Sequence, residues 1–321
     1  MRHLPDEGPD ALLRRLQEDL VDLIGRYTRN HLNAPLGDLA AEAKAVPRVH
    51  DSADNGGYER VVAAQHPAGA PPSATPSVPN TTRTPFTDLS HMPPLGDLYD
   101  RARREELDIH ELTRELGGLQ QRYGPYRVEN ISAWYEQSWV DDDGSICPPK
   151  VNFLGDIRDD NGADVGELIY SFTRDDDGKL VVTNEHTELR KGFTGKGFST
   201  AFSAATEDYF RRSGVDRMLV TASLEDGGVT WAKAGYDWDL TPAKLGESVN
   251  NMKSRIDDLL AGGNGPLSRR DTELLQEMRA RFGGRTVEFP SPRELVMLAG
   301  DNPKLGEELM RGSYWHGMKK L

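Results

Sequence analysis

The chain predicts an α+β protein in which a largely antiparallel sheet is flanked by helices, with a helical segment before it and a helical extension after it. Two observations carry this. Four short β-rich runs, Tyr126–Tyr135, Val151–Ile157, Val165–Phe172 and Leu180–Leu189, follow one another across Asp-, Asn- and Gly-rich turns. On both sides of them, apolar residues recur at helical spacing.

In chain order, Leu12, Leu13, Leu16, Leu20, Leu23, Ile24 and Tyr27 repeat every three or four residues and predict an amphipathic helix over 9–31. A helix of that length needs a partner surface in water. A weaker helix follows over 33–46, completing an N-terminal helical segment, 1–46. The stretch 47–95 is rich in Pro, Ala, Ser and Thr, from Pro47 to Pro93-Pro94. Proline removes donors and favours extended backbone, so this reads as a linker. Residues 96–240 form the expected core and 241–321 the helical C-terminal extension. Helix periodicity resumes over 97–123 through Leu98, Ala102, Leu107, Leu112, Leu116 and Leu119.

The period then changes to the four β runs. They are separated by Asp141-Asp142-Asp143-Gly144, Asp160-Asn161-Gly162 and Asp175-Asp176-Asp177-Gly178. Asn-Gly and Asp-Gly supply the positive φ of hairpin turns, which predicts an antiparallel meander. A calcium-loop reading fails on spacing: with Gly178 at the sixth place, Thr173 stands first and Asn184 twelfth.

The run Leu180–Leu189 passes into Arg190-Lys191-Gly192-Phe193-Thr194-Gly195-Lys196-Gly197-Phe198-Ser199. Phe198, Phe202, Ala205 and Tyr209 then mark a helix ended by Gly214. A strand over 215–222, a short helix over 229–234 and a last strand at Tyr236-Asp237-Trp238 complete the core. The tail predicts helices over 242–261 and 268–282, and shorter ones over 292–298 and 304–310. Ser268 with Asp271, and Ser291 with Pro292 and Glu294, stand as capping residues. Trp315-His316 reads as packing for the tail.

A strand, three glycines and a helix make either a tight strand-to-helix turn alone or a physical anion site, in which loop and helix-start N–H groups converge on negative oxygens. The spacing is not that of a P-loop or of a dinucleotide fingerprint. The run Thr194-Gly195-Lys196-Gly197-Phe198-Ser199, and Trp231-Ala232-Lys233-Ala234-Gly235-Tyr236 downstream, resemble the two landmarks of the GNAT superfamily of N-acyltransferases. The first resembles that family's Gln/Arg-x-x-Gly-x-Gly/Ala signature, the second its Tyr-x-Lys-x-Gly-Phe ending. The resemblance spans about residues 126–238.

It implies a mixed, mostly antiparallel sheet that splays between its fourth and fifth strands, and acetyl-CoA or another acyl-CoA as co-substrate in the splay. The pyrophosphate would lie on Phe193, Thr194, Gly195, Lys196, Gly197, Phe198 and Ser199, with backbone groups near Leu189 and Arg190 on the pantetheine. An amine on a small molecule or peptide would attack the thioester directly. Glu185 and Glu188, just before the loop, are the candidate bases, with His186 a third. Strict alternation places Glu185 with Leu189, and Glu188 with His186 and Arg190, but the resemblance implies that this strand often carries a bulge, so parity does not choose between the two glutamates. The sequence departs from the pattern at Thr194, at Ser199, and at Trp231, where a tyrosine often protonates the thiolate. The two helices usual between the first and second strands do not fit in 136–150, so they are lost or replaced by the 97–123 helix from before the sheet.

Composition bounds the alternatives. The 321 residues carry 39 basic and 52 acidic side chains, a net charge of −13, and 36% are hydrophobic. The acidic balance disfavours general nucleic-acid binding, an aminoacyl-tRNA acceptor included, and suits a cationic amine. Cys147 is the single cysteine, so no internal disulfide or cysteine zinc cluster forms. The histidines show no metal-ligand spacing. No apolar run is long enough to span a membrane, and the N-terminus lacks a signal-peptide stretch, which predicts a soluble cytoplasmic protein. Arginine outnumbers lysine, as in GC-rich bacterial genomes. Two other functions stay open on sequence alone. One is a non-catalytic scaffold that docks a protein partner or self-associates through the N-terminal helix. The other is an acyltransferase toxin or effector.

Overall fold

The computed structural model describes residues 87–321 except 141–143, 145 and 264. All of these lie in the second of two compact units, Gly69–Leu321. The predicted helices over 9–31 and 33–46, and residues 47–86 of the Pro-rich stretch, fall outside the described residues. From residue 87 that stretch already belongs to the core, where Leu89, Met92 and Leu95 are buried.

The single helix predicted over 97–123 is two. Helix α1 (Leu95–Arg103) stops at a left-handed Glu105, φ 59°, and α2 (Ile109–Leu116) restarts behind a new cap. Asp108 accepts the Glu111 N–H at 2.8 Å, and the Glu111 carboxylate accepts the Asp108 N–H at 3.1 Å. This reciprocal capping stabilises a fresh N-terminus. The break lets Leu98 and Tyr99 on α1, and Leu112 and Leu116 on α2, all reach the core. Both helices precede the main strands.

The main sheet has eight strands in the order β1-β2-β5-β6-β7-β8-β10-β9. A short β1 (Arg122–Tyr123) leads into β2 (Tyr126–Glu136), β5 (Lys150–Arg158), β6 (Asp164–Arg174) and β7 (Leu180–Leu189), which form the antiparallel meander. Between β2 and β5, β3 (Trp139–Val140) and β4 (Ile146–Cys147) make a separate ribbon. The β6–β7 turn places Gly178 at φ 76°, and Asp175 accepts the N–H groups of Asp177 and Lys179 at 3.1 and 2.9 Å. These side-chain-to-backbone bonds are hairpin-turn chemistry, and Asp175 also ties the turn to Arg217 of the strand Val215–Ala222 at 2.7 Å.

Helix α3 (Phe198–Arg212) then crosses to β8 (Val215–Ala222), which runs parallel to β7 and makes the sheet mixed. Helix α4 (Leu224–Lys233) starts five residues earlier than predicted, directly from β8, and β9 (Asp237–Trp238) follows. The C-terminal extension supplies α5 (Pro242–Leu260), α6 (Arg269–Arg281), α7 (Pro292–Val296) and α8 (Leu305–Met310). The Ser268 and Ser291 side chains cap α6 and α7, accepting the N–H groups of Asp271 and Glu294.

The extension is not helical throughout. It ends in β10 (Trp315–Lys320), which enters the sheet between β8 and β9 and leaves β9 at the edge. Trp315 is fully buried there against Trp238, ring centroids 5.5 Å apart. One face of the central sheet, with Val151, Phe153, Tyr170, Phe172 and Val182, packs on the first three helices. Phe153 stacks on Tyr170 at 5.5 Å, and Tyr170 meets Phe202 of α3 at 5.7 Å.

Candidate active site

The site starts at a defect in the sheet. Strands β7 and β8 pair from Leu180↔Val215 to Asn184↔Val220 and no further, although β7 continues to Leu189 and β8 to Ala222. The pairing stops where β7 carries a bulge. Tyr170 faces Asn184 and Ile169 faces His186, so Glu185 has no partner on β6. A bulge bends its strand and raises its twist, which turns the second half of β7 away from β8. Asn184, buried, holds the bend by donating to the Tyr170 hydroxyl at 2.9 Å and to Thr187 Oγ1 at 3.0 Å.

Beyond the bulge, β7 still pairs with β6 as far as Gly166↔Leu189. That close approach needs glycine, because a Cβ at position 166 would lie 2.1 Å from the Glu188 carbonyl oxygen. The Arg190 N–H donates to the Val165 carbonyl at 2.8 Å. By antiparallel alternation, the main-chain groups of Thr187 and Leu189 then face the parted edge. The Arg190 guanidinium pairs with Asp164 at 2.8 Å.

The glycine loop follows at once. Gly192, Gly195 and Gly197 have φ of 89°, 72° and 89°. Gly197 is the N-cap of α3 and no side chain caps it, which leaves first-turn N–H groups at Phe198 and Ser199 without intrahelical acceptors. The loop is held at Phe193: its N–H donates to the Arg190 carbonyl at 3.0 Å, and its carbonyl accepts the Tyr126 hydroxyl at 2.9 Å. Lys196 Nζ sits 5.2 Å from the Phe193 ring centroid. Thr194, Gly195, Lys196 and Gly197 are exposed, whereas the Phe198 side chain is buried against Tyr123 and Tyr126, leaving only its main chain toward the loop.

The bulge also settles the carboxylates. Strict alternation separates Glu185 from Glu188, but with Glu185 as the extra residue both project from the face opposite Tyr170. Ser171 Oγ donates to Glu185 Oε1 at 2.6 Å, and Lys150 Nζ lies 3.6 Å from the same oxygen. Glu188 Oε2 and Glu167 Oε1 each lie 3.5 Å from Nε2 of His186, which is nearly buried. Ser171 and Lys150 carry no motif in the sequence; only the β5–β6–β7 register brings them to Glu185. Trp231 sits on α4, edge-on to Tyr236 with centroids 5.4 Å apart. Its indole carries no proton that titrates in water. Tyr236 is buried, its hydroxyl faces Met218 sulfur at 3.8 Å, and burial holds its phenol well above the usual value.

A mixed α+β sheet with a parallel pair that parts beside a glycine loop defines the architecture. No family model matches the chain, and no curated protein matches it. Among solved structures, it is similar to a nourseothricin acetyltransferase at 14% identity and a TM-score of 0.22, covering 38% of this chain and 78% of that one. It is also similar to a GCN5-related glucosamine N-acetyltransferase region of a fungal multi-domain GH3 β-N-acetylglucosaminidase, at 15% identity and a TM-score of 0.24. That match covers 41% of this chain and 19% of the other.

Proposed function

We propose that the chain is an acyl-CoA-dependent N-acyltransferase, with acetyl as the acyl group and an amine as acceptor. The observation that carries this reading is the parting of β7 from β8 directly above the glycine loop. A parted parallel pair offers unpaired main-chain donors and acceptors to an extended, amide-bearing chain such as pantetheine, in the manner of strand addition. Thr187 and Leu189 supply those groups, and Arg190 borders them. The N–H groups from Thr194 through Ser199, with the Lys196 ammonium, receive the pyrophosphate; the Phe193 N–H is held by the Arg190 carbonyl instead.

Amine nitrogen attacks the thioester carbon directly. Glu185, held by Ser171 and Lys150, takes the amine proton, through water where the amine does not reach it, and Glu188 with His186 lies next along the same face. The acidic chain suits a cationic acceptor.

Isothermal titration with acetyl-CoA tests the reading. Micromolar binding that is lost in Gly197→Glu, whose carboxylate would occupy the anion site, is the expected result. No binding, or binding that Gly197→Glu leaves unchanged, would sink it.

A further inference from the structure

The C-terminal extension brings a second set of proton-handling groups to β8. Thr221 is the first residue of β8 beyond its last pair with β7, Asn184↔Val220, and its side chain is exposed. Across the β8–β10 ladder its register partner is His316. Thr221 Oγ1 lies 3.2 Å from His316 Nδ1, and His316 Nε2 lies 2.9 Å from Glu247 Oε2 on α5. The imidazole is mostly buried, 11% exposed, while Glu247 and Thr221 reach solvent. The Tyr314 hydroxyl is a more distant neighbour, 3.5 Å from Nε2.

The order of groups decides the tautomer. The Glu247 carboxylate can only accept, so the neutral ring carries its proton on Nε2 and leaves the Nδ1 lone pair to the Thr221 hydroxyl. A carboxylate, an imidazole and a hydroxyl in sequence form a chain that takes up a proton at its outer end and stabilises the resulting imidazolium at its inner end.

We propose that Thr221, His316 and Glu247 are a proton shuttle for acyl transfer, standing in for the acid that Trp231 cannot provide. The inference rests on the acyltransferase reading. Glu185 takes the proton that frees the amine of an ammonium acceptor and releases it to solvent; as the nitrogen–carbon bond then forms, the second nitrogen proton passes to Thr221 Oγ1 while the Thr221 proton passes to His316 Nδ1, and the imidazolium pairs with Glu247. As the carbon–sulfur bond breaks, the proton returns along the same path to the thiolate. An amine and a thioester become an amide and a thiol with no net proton left on the protein. Thr221 is the group that meets the reacting atoms; His316 and Glu247 position and recharge it.

The test uses the full chain, acetyl-CoA, and hydroxylamine as a small neutral nucleophile, with CoA release followed by a thiol reagent. Thr221→Val is expected to lower kcat by about 100-fold, the scale of a lost acid–base group. The acetyl-CoA Kd and the melting temperature should stay unchanged. Thr221→Ser should return kcat to within about threefold of wild type, since it restores the hydroxyl. His316→Gln should match Thr221→Val, which separates a shuttle from mere packing at position 221. A Thr221→Val enzyme that keeps a third or more of its kcat, or wild-type protein that binds acetyl-CoA yet releases no CoA, overturns the shuttle alone. Failure of wild type to bind acetyl-CoA overturns the acyltransferase reading beneath it.

Discussion

Two glycines in helices should respond to the same substitution with opposite sign. Gly228 lies in α4 against the C-terminal segment: a Cβ there would stand 2.2 Å from the Met310 carbonyl oxygen and 2.4 Å from Ser313 Oγ. Gly246 lies in α5 with nothing within 4 Å. Alanine gains about 1 kcal/mol of helix propensity over glycine at either site. At Gly246 that gain stands alone. At Gly228, an ordinary contact of 3.4 Å requires the tail to retreat from α4 by more than an ångström. The retreat strains the bonds that join the tail to α4: the Gly312 N–H to the Glu225 carbonyl, 2.8 Å, and the Lys233–Glu307 pair, 2.5 Å. Overpacking of this kind costs about 1–3 kcal/mol, and a weakened buried hydrogen bond about 1 more. The net expectation is that Gly228→Ala destabilises by roughly 1–3 kcal/mol while Gly246→Ala stabilises by about 1. At roughly 2–4 °C per kcal/mol, the two variants should melt about 5–15 °C apart. Thermal unfolding followed by tryptophan fluorescence reads this directly, because Trp231, Trp238 and Trp315 lie in these elements. A Gly228→Ala protein that melts as high as Gly246→Ala would refute the close packing of the tail on α4.

Further outcomes follow from other parts of the structure. Glu185→Gln should lower kcat by about 10²–10⁴-fold, and Ser171→Ala by roughly tenfold, both with the acetyl-CoA Kd unchanged; equal activity in Glu185→Gln would move the base elsewhere on β7. Trp315→Ala, which empties a fully buried site, should cost about 3–5 kcal/mol in urea unfolding, and a cost under 1 would place the indole outside the core. Asp239 has a titration signature. Burial alone would raise its carboxyl, but the Thr241 N–H at 3.0 Å, the Thr241 hydroxyl at 2.7 Å and Lys244 at 3.2 Å hold it below the usual 3.8. Its contribution is therefore complete above pH 3.8 and lost as pH falls through the lower folded value. Asp239→Asn should cost about 1–3 kcal/mol at neutral pH, with the difference from wild type closing below that window in a pH series of melts.

The meander was legible because its strands alternate and its turns carry glycine at positive φ, as at Gly162 and Gly178. The glycine loop and α3 were legible for the same local reasons. The split of the 97–123 helix was also written locally, in the Asp108 and Glu111 cap and in the five-residue steps from Ala102 to Leu107 to Leu112, but helical spacing on either side outweighed these signals. A bulge in β7 was implied by the resemblance, but its place at Glu185 was not visible, since a one-residue offset in β7 exists only relative to β6. Strand β10 was hidden for a different reason. Trp315-His316-Gly317-Met318-Lys319-Lys320 has neither clean alternation nor a turn signal beside it, and its strand state comes from the slot between β8 and β9. Residues such as Ser171 and Lys150 follow the same rule: their chemistry is set by register, a long-range property.

That slot has a kinetic meaning. Strands β8 and β9 are synthesised well before β10, and Thr221 is separated from its partner His316 by 95 residues. Pairings of such high contact order form late, after the loop-closure entropy of the intervening chain has been overcome. Until then the edge of β8 away from β7 is unpaired, a template for strand addition by another chain. Sheet completion and assembly of the Thr221–His316–Glu247 cluster are therefore one folding event. In pulse-labelled hydrogen exchange the amides of β10 should gain protection after those of β5 and β6, and competence for catalysis should arrive with them.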